Sequence, residues 1–540
     1  MKPFGRSIAL IAGLLLLTSL PYIYAFRTSP PEVMYTGLMF DVPDHAQYWS
    51  WVTASRNSLF ISNTMTPEEN PATFTNPMMW TLARVQQAFD LSFPALLQWW
   101  RVIAVCLLVP GLLAFLAVMV PERERRPTVL LLALFGSGLG WALIVAKQVM
   151  HAPDVPWPQD LYTVEPNTFW ALLGYPNILL AQALVLITML CAWIAYKRPS
   201  WWAFGLAATA SVVLSLSHAY DLITVYAVLA TFGVVEWVRL RRLPVRLIPV
   251  GLAVGVLSAP VALYYQRLTT ADPLWRSILS QYANAGVWTP PYWHLFVLMG
   301  LPLVLAAWTA LACRRWTDEL RFVAVWAATS LCLIYLPVVY QIKLLTGWQF
   351  PLAVLAAYAW HEWCLPVTTR YLRVLPATVA LAFVVASTNV YLFAWRFIEL
   401  RRHTTPYFVR QDSVDALTWI AEHTTSSDVV LAPIEVGQFV PNYGASRSYL
   451  AHWAMTNRFF ERRDNVDRFF RMDTPDSWRE TLLRDEKVTL VFRSEPLVAG
   501  APLYDPARSH SFELMFSRPG AQVYRFRPAE RSARADDRTP

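Results

Sequence analysis

SIALIAGLLLLTSLPYIYAF, residues 7 to 26, followed by FDVPDHAQYW, residues 40 to 49, decides how this chain is read. The first stretch has no charged side chain before Arg27. At about 1.5 Å of rise per helical residue it is long enough to cross a hydrocarbon core of about 30 Å. The second stretch sets two carboxylates, Asp41 and Asp44, directly beyond that segment.

Working outward, further apolar stretches lie near 101–120, 128–147, 168–195, 201–217, 221–238, 246–265, 292–312, 322–341, 350–366 and 374–395, giving about eleven spans. A chain with 56% hydrophobic and 15% charged residues has more apolar surface than a water-soluble fold can bury. The expected fold class is therefore a polytopic α-helical membrane protein.

Orientation follows from where the short loops keep their arginines and lysines. Lys2 and Arg6 precede the first span, and PERERRP (121–127), YKRPS (196–200), VRLRRLPVR (238–246), CRRWTDELR (313–321) and TTRYLR (368–373) fall in alternate loops. These loops and the N-terminus are expected on the cytoplasmic side of an inner membrane. The loops 27–98 and 148–167, the segment 266–291 and the C-terminal region are expected outside. A cleaved signal peptide is the alternative for the first span, but PYIYAFRT has no small-x-small cleavage site. The net charge of +8 reflects this inside bias, and no nucleic-acid partner is expected. The five cysteines, Cys106, Cys191, Cys313, Cys332 and Cys364, all lie in or beside spans and form no CxxC pattern.

Beyond about Trp395 the periodicity becomes that of a soluble α/β domain. DSVDALTWIAEHT (412–424) spaces Val414, Leu417 and Ile420 as an amphipathic helix, and DVVLAP (428–433) reads as a buried strand. KVTLVFR (487–493), FELMFSR (512–518) and AQVYRFR (521–527) have strand composition, with helices around 458–471 and 476–485. The expected layout is a transmembrane domain over 1–395, an exported α/β domain over 396–527 and a disordered tail over 528–540.

Asp44 has two compatible readings. Pro43-Asp44-His45-Ala46-Gln47 fits an aspartate N-cap with Gln47 at N3, opening an interfacial helix. A carboxylate at the mouth of a membrane cavity can also accept a proton from an alcohol. The layout resembles the GT-C superfamily of polyprenyl-phosphate-dependent glycosyltransferases. The resemblance is carried by Asp44-His45 with Tyr48, NTMTPEEN through Thr66 to Asn70, VEPNTFW (164–170), SHAYD (217–221), QIKLLTGWQFPLAVLAA (341–357), ALTWIAEHT (416–424) and AHWAMT (451–456). It implies about eleven transmembrane helices with a C-terminal exported α/β domain. The implied reaction is inverting sugar transfer from a polyprenyl-phosphate donor to a lipid, glycan or protein acceptor of the cell envelope.

By that resemblance Asp44 is the catalytic base, with Asp41 as second candidate, and Glu165 matches the second acidic motif. Many superfamily members have Glu where this chain has His45, which weakens any borrowed metal role, although a divalent cation stays compatible with the sequence. His45 either hydrogen-bonds the carboxylate or faces solvent, and Tyr48 stands beside it as a substrate-binding candidate. Lys343, at the outer end of its span, either pairs with the leaving phosphate or snorkels to headgroups. Asp154 and Asp160 read as solvated loop residues, and His218 and Asp221 as cavity candidates in a short outer turn. Trp49, Trp51, Trp288 and Trp293 fit an interfacial belt and can also stack on sugar or isoprenoid. The competing classes are a transporter or flippase for an amphipathic lipid and a non-catalytic envelope scaffold.

Overall fold

The computed structural model describes residues 3–152, 157–281, 288–498 and 502–527. Asp154 and the expected disordered tail, 528–540, lie outside the described residues. The chain forms two compact units, interleaved in sequence. One comprises Met1–Tyr24, Ala95–Arg267 and Tyr282–Glu399; the other comprises Ala25–Pro94, Leu268–Gln281 and Leu400–Pro540.

The apolar stretches read from the sequence are largely helical, but that at 322–341 leaves the helix after Leu333 and that at 128–147 is interrupted at 136–139. Ser7–Thr28, Phe93–Met119, Pro176–Lys197, Asp221–Leu240, Leu247–Ala271 and Tyr292–Ala312 are each long and apolar enough to cross a membrane. Among the described residues, two bent pairs raise that number from 6 to 8: Arg126–Phe135 with Gly140–Val149, bent by 48°, and Val374–Val385 with Ser387–Leu400, bent by 59°. The remaining expected spans are shorter or less uniformly apolar. They are Trp201–His218, Asp318–Leu333, and Gln349–Ala359 continuing through a π-helical turn at Trp360–Cys364. The 168–195 stretch divides at Tyr175, because the following Pro176 disfavours helical backbone at the residue before it.

The first bend shows how a broken helix satisfies its backbone away from water. Ser137 N–H donates to Val385 O at 2.7 Å and Leu139 N–H to Val297 O at 2.8 Å. In the most apolar part of Pro176–Lys197, of mean hydropathy 2.4, 94% is buried, whereas in that of Leu247–Ala271, of mean hydropathy 2.0, only 22% is. An apolar helix with most of its surface uncovered belongs in an apolar solvent, and the protein is a membrane protein.

The arginine-bearing loops gather as the alternation requires. Lys197 pairs with Asp318 at 2.6 Å, and Glu236, buried, accepts from Arg239 at 2.7 Å and lies 3.5 Å from Arg321. This joins the loops 196–200, 238–246 and 313–321. Arg125 of the 121–127 loop pairs with Glu362.

The second unit holds the C-terminal sheet region together with the 25–94 segment. Strand β1 (Val33–Tyr35) pairs antiparallel with β2 (Phe408–Arg410), a contact absent from the sequence reading. The five-stranded sheet runs β4-β3-β5-β7-β6, built from β3 (Val429–Leu431), β4 (Arg447–Ser448), β5 (Leu490–Ser494), β6 (Phe512–Arg518) and β7 (Ala521–Phe526). β3 is parallel to β4 and β5, whereas β7 is antiparallel to β5 and β6. Helices Gln411–His423, Phe459–Phe469 and Asp476–Asp485 match the expected helical segments. The apolar faces of Phe459–Phe469 and Asp476–Asp485 join the sheet in a core that includes Leu431, Tyr449, Phe469, Leu483 and Val491.

Candidate active site

Asp44 sits in the helix Val42–Ala54, which begins two residues before the expected cap. Asp41 occupies the N-cap in the left-handed region (φ 40°) and makes no side-chain cap bond, Pro43 falls in the first turn, and Asp44 is at N3. The reading of Asp44 as N-cap is therefore corrected. Its carboxylate still benefits from the positive end of the helix dipole.

The Asp44 carboxylate, 28% exposed, has a partner from the far end of the chain. His452 Nε2 lies 2.9 Å from Asp44 Oδ1, and the imidazole is 1% exposed. The backbone fixes its tautomer. Ala454 N–H donates to His452 Nδ1 at 3.1 Å, so Nδ1 carries a lone pair and Nε2 carries the proton that is donated to Asp44.

A short polar chain shapes the loop that presents His452. Thr456 Oγ1 accepts the N–H groups of Ala451 and His452, each at 3.1 Å, and donates to Met65 O at 2.6 Å. Asn457 N–H donates to Thr66 Oγ1, and Thr66 donates to the Glu68 carboxylate. Glu68 also accepts from Asn457 at 2.9 Å and from buried Arg462 at 2.7 Å. Burial alone would push Glu68 up, but Arg462, Thr66 and Asn457 outweigh it and hold the carboxyl below its ordinary range. The NTMTPEEN and AHWAMT motifs thus meet in one hydrogen-bonded network.

His45 is fully buried, so of its two readings the solvent-facing one does not hold. Its Nδ1 donates to Asp41 O at 3.0 Å, tying down the first turn of the helix. Tyr48 packs edge-on to His45 with centroids 5.9 Å apart, and Asp41 itself is exposed. Trp49 stacks on Phe93 at 5.1 Å and Trp51 packs on Phe74 at 4.6 Å, so both rings have protein partners. Trp288 and Trp293 are exposed.

The helical unit carries a second polar cluster. Lys343 Nζ lies 2.8 Å from Glu165 Oε1; the Glu165 side chain is 3% exposed and that of Lys343 is 24% exposed. Gln182 donates to the Glu165 backbone carbonyl at 2.9 Å and fixes the turn that aims this carboxylate. His218 Nδ1 is 2.7 Å from Asp221 Oδ2, and Tyr220 OH is 2.6 Å from His218 Nε2. Asp221 is fully buried, with Thr346 and the Glu165 carboxylate close enough to bear on its charge. Four candidates named separately from the sequence, Glu165, Lys343, His218 and Asp221, are therefore neighbours.

Asp160 is not a solvated loop residue. It is buried, and its Oδ2 accepts from Gly140 N–H at 2.7 Å and from Thr388 at 3.0 Å, capping the helix Gly140–Val149. A Cβ on Gly140 would lie 1.9 Å from Asp160 Oδ1, so this approach requires glycine. Burial raises the Asp160 carboxyl from 3.8 to about 7.

Among the described residues, no group of three or more His, Cys, Asp and Glu side chains is arranged to hold a metal ion. At Asp44 the neighbouring imidazole presents N–H rather than a lone pair, a poor ligand set for a cation.

His452 and Arg462 were given no role by the sequence reading. The only signal for His452 is an imidazole set in the otherwise apolar run of AHWAM, which does not reveal a partner 408 residues away.

A polytopic helical membrane domain with a C-terminal sheet domain and an acidic first loop is the layout expected from the sequence. Among solved structures, the Archaeoglobus fulgidus oligosaccharyltransferase in its apo form is similar, with a TM-score of 0.52 and 13% identity, over 91% of this chain and 70% of that one. ArnT from Cupriavidus metallidurans bound to undecaprenyl phosphate aligns over 95% of this chain and 98% of its own at a TM-score of 0.46 and 13% identity. At this identity the first likeness establishes the fold alone. No protein-family model matches the chain, and no curated protein matches it in sequence.

Proposed function

We propose that the protein is an inverting glycosyltransferase, moving a sugar from a polyprenyl-phosphate donor to an acceptor hydroxyl on the outer face of the inner membrane, with Asp44 as general base. The observation that carries the proposal is the His452–Asp44 hydrogen bond with its tautomer fixed by Ala454. A carboxylate that is partly exposed and held by a buried donor is oriented while remaining within reach of a substrate. The fold shared with an oligosaccharyltransferase supports the same class of chemistry.

In the reaction, the acceptor oxygen forms a bond to the sugar C1 as the bond from C1 to the phosphate oxygen breaks. The acceptor proton passes to Asp44, the electron pair leaves with polyprenyl phosphate, and the configuration at C1 inverts. His452 holds Oδ1 and stabilises the ionised base before transfer. His45 fixes the first turn of the helix from behind and acts as a positioning residue, with Tyr48 beside it and Asp41 as the second candidate base. Lys343 supplies positive charge for the phosphate, Glu165 sets the position of its ammonium, and His218 belongs to the same polar cluster. The acceptor class is a lipid, glycan or protein of the envelope, and no reaction step is assigned to a metal ion.

The test is transfer by purified protein in liposomes supplied with a panel of polyprenyl-phosphate sugars, with product configuration read by NMR. The proposal expects one or more donors to be used with inversion. Retention would replace the single displacement with a double displacement, and no use of any donor by folded protein while an amphipathic lipid is moved across the bilayer would replace the proposal with the transporter reading.

A further inference from the structure

The helices Asp221–Leu240 and Leu247–Ala271 form a hairpin that does not close. A groove of about 510 Å³ runs between them, with Tyr226, Leu229, Gly233 and Trp237 on one wall and Leu247, Gly251 and Gly255 among the residues of the other. These positions repeat at three and four residues, so each wall is one continuous helix face. The space is open along Gly251 and Gly255, where an added Cβ meets nothing within 4 Å, whereas at Gly233 it would meet Leu247 at 3.4 Å. Tyr226 hydrogen-bonds Ser258 at the closed end. The opposite end lies at the 241–246 turn, where Leu243 and Pro244 join the lining.

Three cations belong to the same turn, beside the lining residues Leu243, Pro244 and Leu247. Arg241, Arg242 and Arg246 are exposed, and Arg246 donates to the Lys197 carbonyl at 3.3 Å. The acidic groups nearby, Glu236 and Asp318, are already neutralised by Arg239, Arg321 and Lys197. Trp237 is half exposed at the same level, a position favoured by aromatic rings at a membrane interface.

We infer that this groove is a binding site for an anionic phospholipid of the leaflet faced by the 238–246 loop, with one acyl chain between the helices and the headgroup on Arg241, Arg242 and Arg246. The dimensions select an acyl chain. From residue 226 to residue 237 the groove runs about 16 Å at ~1.5 Å per residue, close to half of a hydrocarbon core of about 30 Å. The volume is that of an ordinary ligand pocket. Charge selects the headgroup, because basic residues clustered between helices at the membrane surface recognise anionic lipids.

Native mass spectrometry of the full chain, titrated with phosphatidylglycerol, phosphatidylcholine of identical acyl chains, polyprenyl phosphate and inorganic phosphate, tests the site. The expected result is tighter binding of phosphatidylglycerol than phosphatidylcholine by about 10- to 100-fold, the scale of three interfacial arginines. The combined change Arg241→Gln, Arg242→Gln and Arg246→Gln should abolish that preference. Gly251→Leu, placed in open space, should weaken both lipids while the melting temperature of the lipid-free protein holds. Equal binding of the two phospholipids, or a preference that survives the arginine changes, would overturn the inference. Competition in which polyprenyl phosphate displaces phosphatidylglycerol from the wild type but not from Gly251→Leu would overturn the assigned occupant in favour of the carrier lipid.

Discussion

Replacing His452 by Leu should disable Asp44 in a pH-dependent way. A hydrogen bond to a charged group contributes about 1.5–3 kcal/mol, and at ~1.4 kcal/mol per factor of ten this corresponds to roughly 10- to 150-fold. The bond is made to the ionised form of Asp44, through a neutral imidazole whose proton Ala454 confines to Nε2. Its loss disfavours the ionised base, so the acid limb of the activity profile should move to higher pH. Transfer measured on that limb should fall by the factor above, with a smaller loss at alkaline pH. His452→Gln keeps an N–H donor at similar reach and should retain transfer within about tenfold of wild type. The assay is sugar transfer in liposomes from pH 5 to pH 9, at matched protein amount and thermal stability. Equal losses for Leu and Gln with an unshifted profile would refute the reasoning and leave His452 a purely structural residue.

Three further outcomes follow from the geometry. Lys343→Met leaves the Glu165 carboxylate buried without its cation and should destabilise the protein by about 3–5 kcal/mol, while Lys343→Met with Glu165→Gln should recover most of that, as read by unfolding midpoints in detergent. Glu68 is held below its ordinary range, so its contribution to stability is present above the unfolded value and is lost as pH falls through the folded one. Hydrogen exchange at 63–70 and 451–462 should therefore accelerate in acid, and Glu68→Gln should show fast exchange already at pH 7. Asp160 is raised to about 7, so the folded state binds a proton that the unfolded state has released, and stability should decline as pH rises from about 4 toward 7. Asp160→Asn should flatten that decline in melting curves.

What could be read from the sequence divides along physical lines. Uninterrupted apolar runs need no partner to be recognised, and each of them contains helix here, although the 322–341 run ends its helix at Leu333. The strands of the C-terminal domain were legible for the same local reason, since 512–518 and 521–527 have strand composition around a Pro-Gly turn. Features that depend on distant partners were not legible. Nothing local to Asp44 announces His452, and β1 and β2 are too short to identify without each other. Glu165 and Lys343 were each visible as candidates, but their pairing across 178 residues exists only in the fold. Asp160 was misread because an acidic residue in a proline-rich loop is usually solvated, whereas here the glycines of 136–140 let a broken helix end close over it. The capping assignment at Asp44 failed by one helical turn's phase, because Asp41 enters the left-handed region and the helix starts at Val42.

The central claim is tested most directly by comparing wild type with Asp44→Asn in liposomes carrying a polyprenyl-phosphate sugar that the wild type uses, at matched expression and thermal stability. The account predicts transfer that falls at least ~100-fold in Asp44→Asn, the scale of general-base catalysis, with donor binding retained. Equal transfer by the two proteins would contradict it, remove Asp44 as the base and move the role to Asp41 or Glu165.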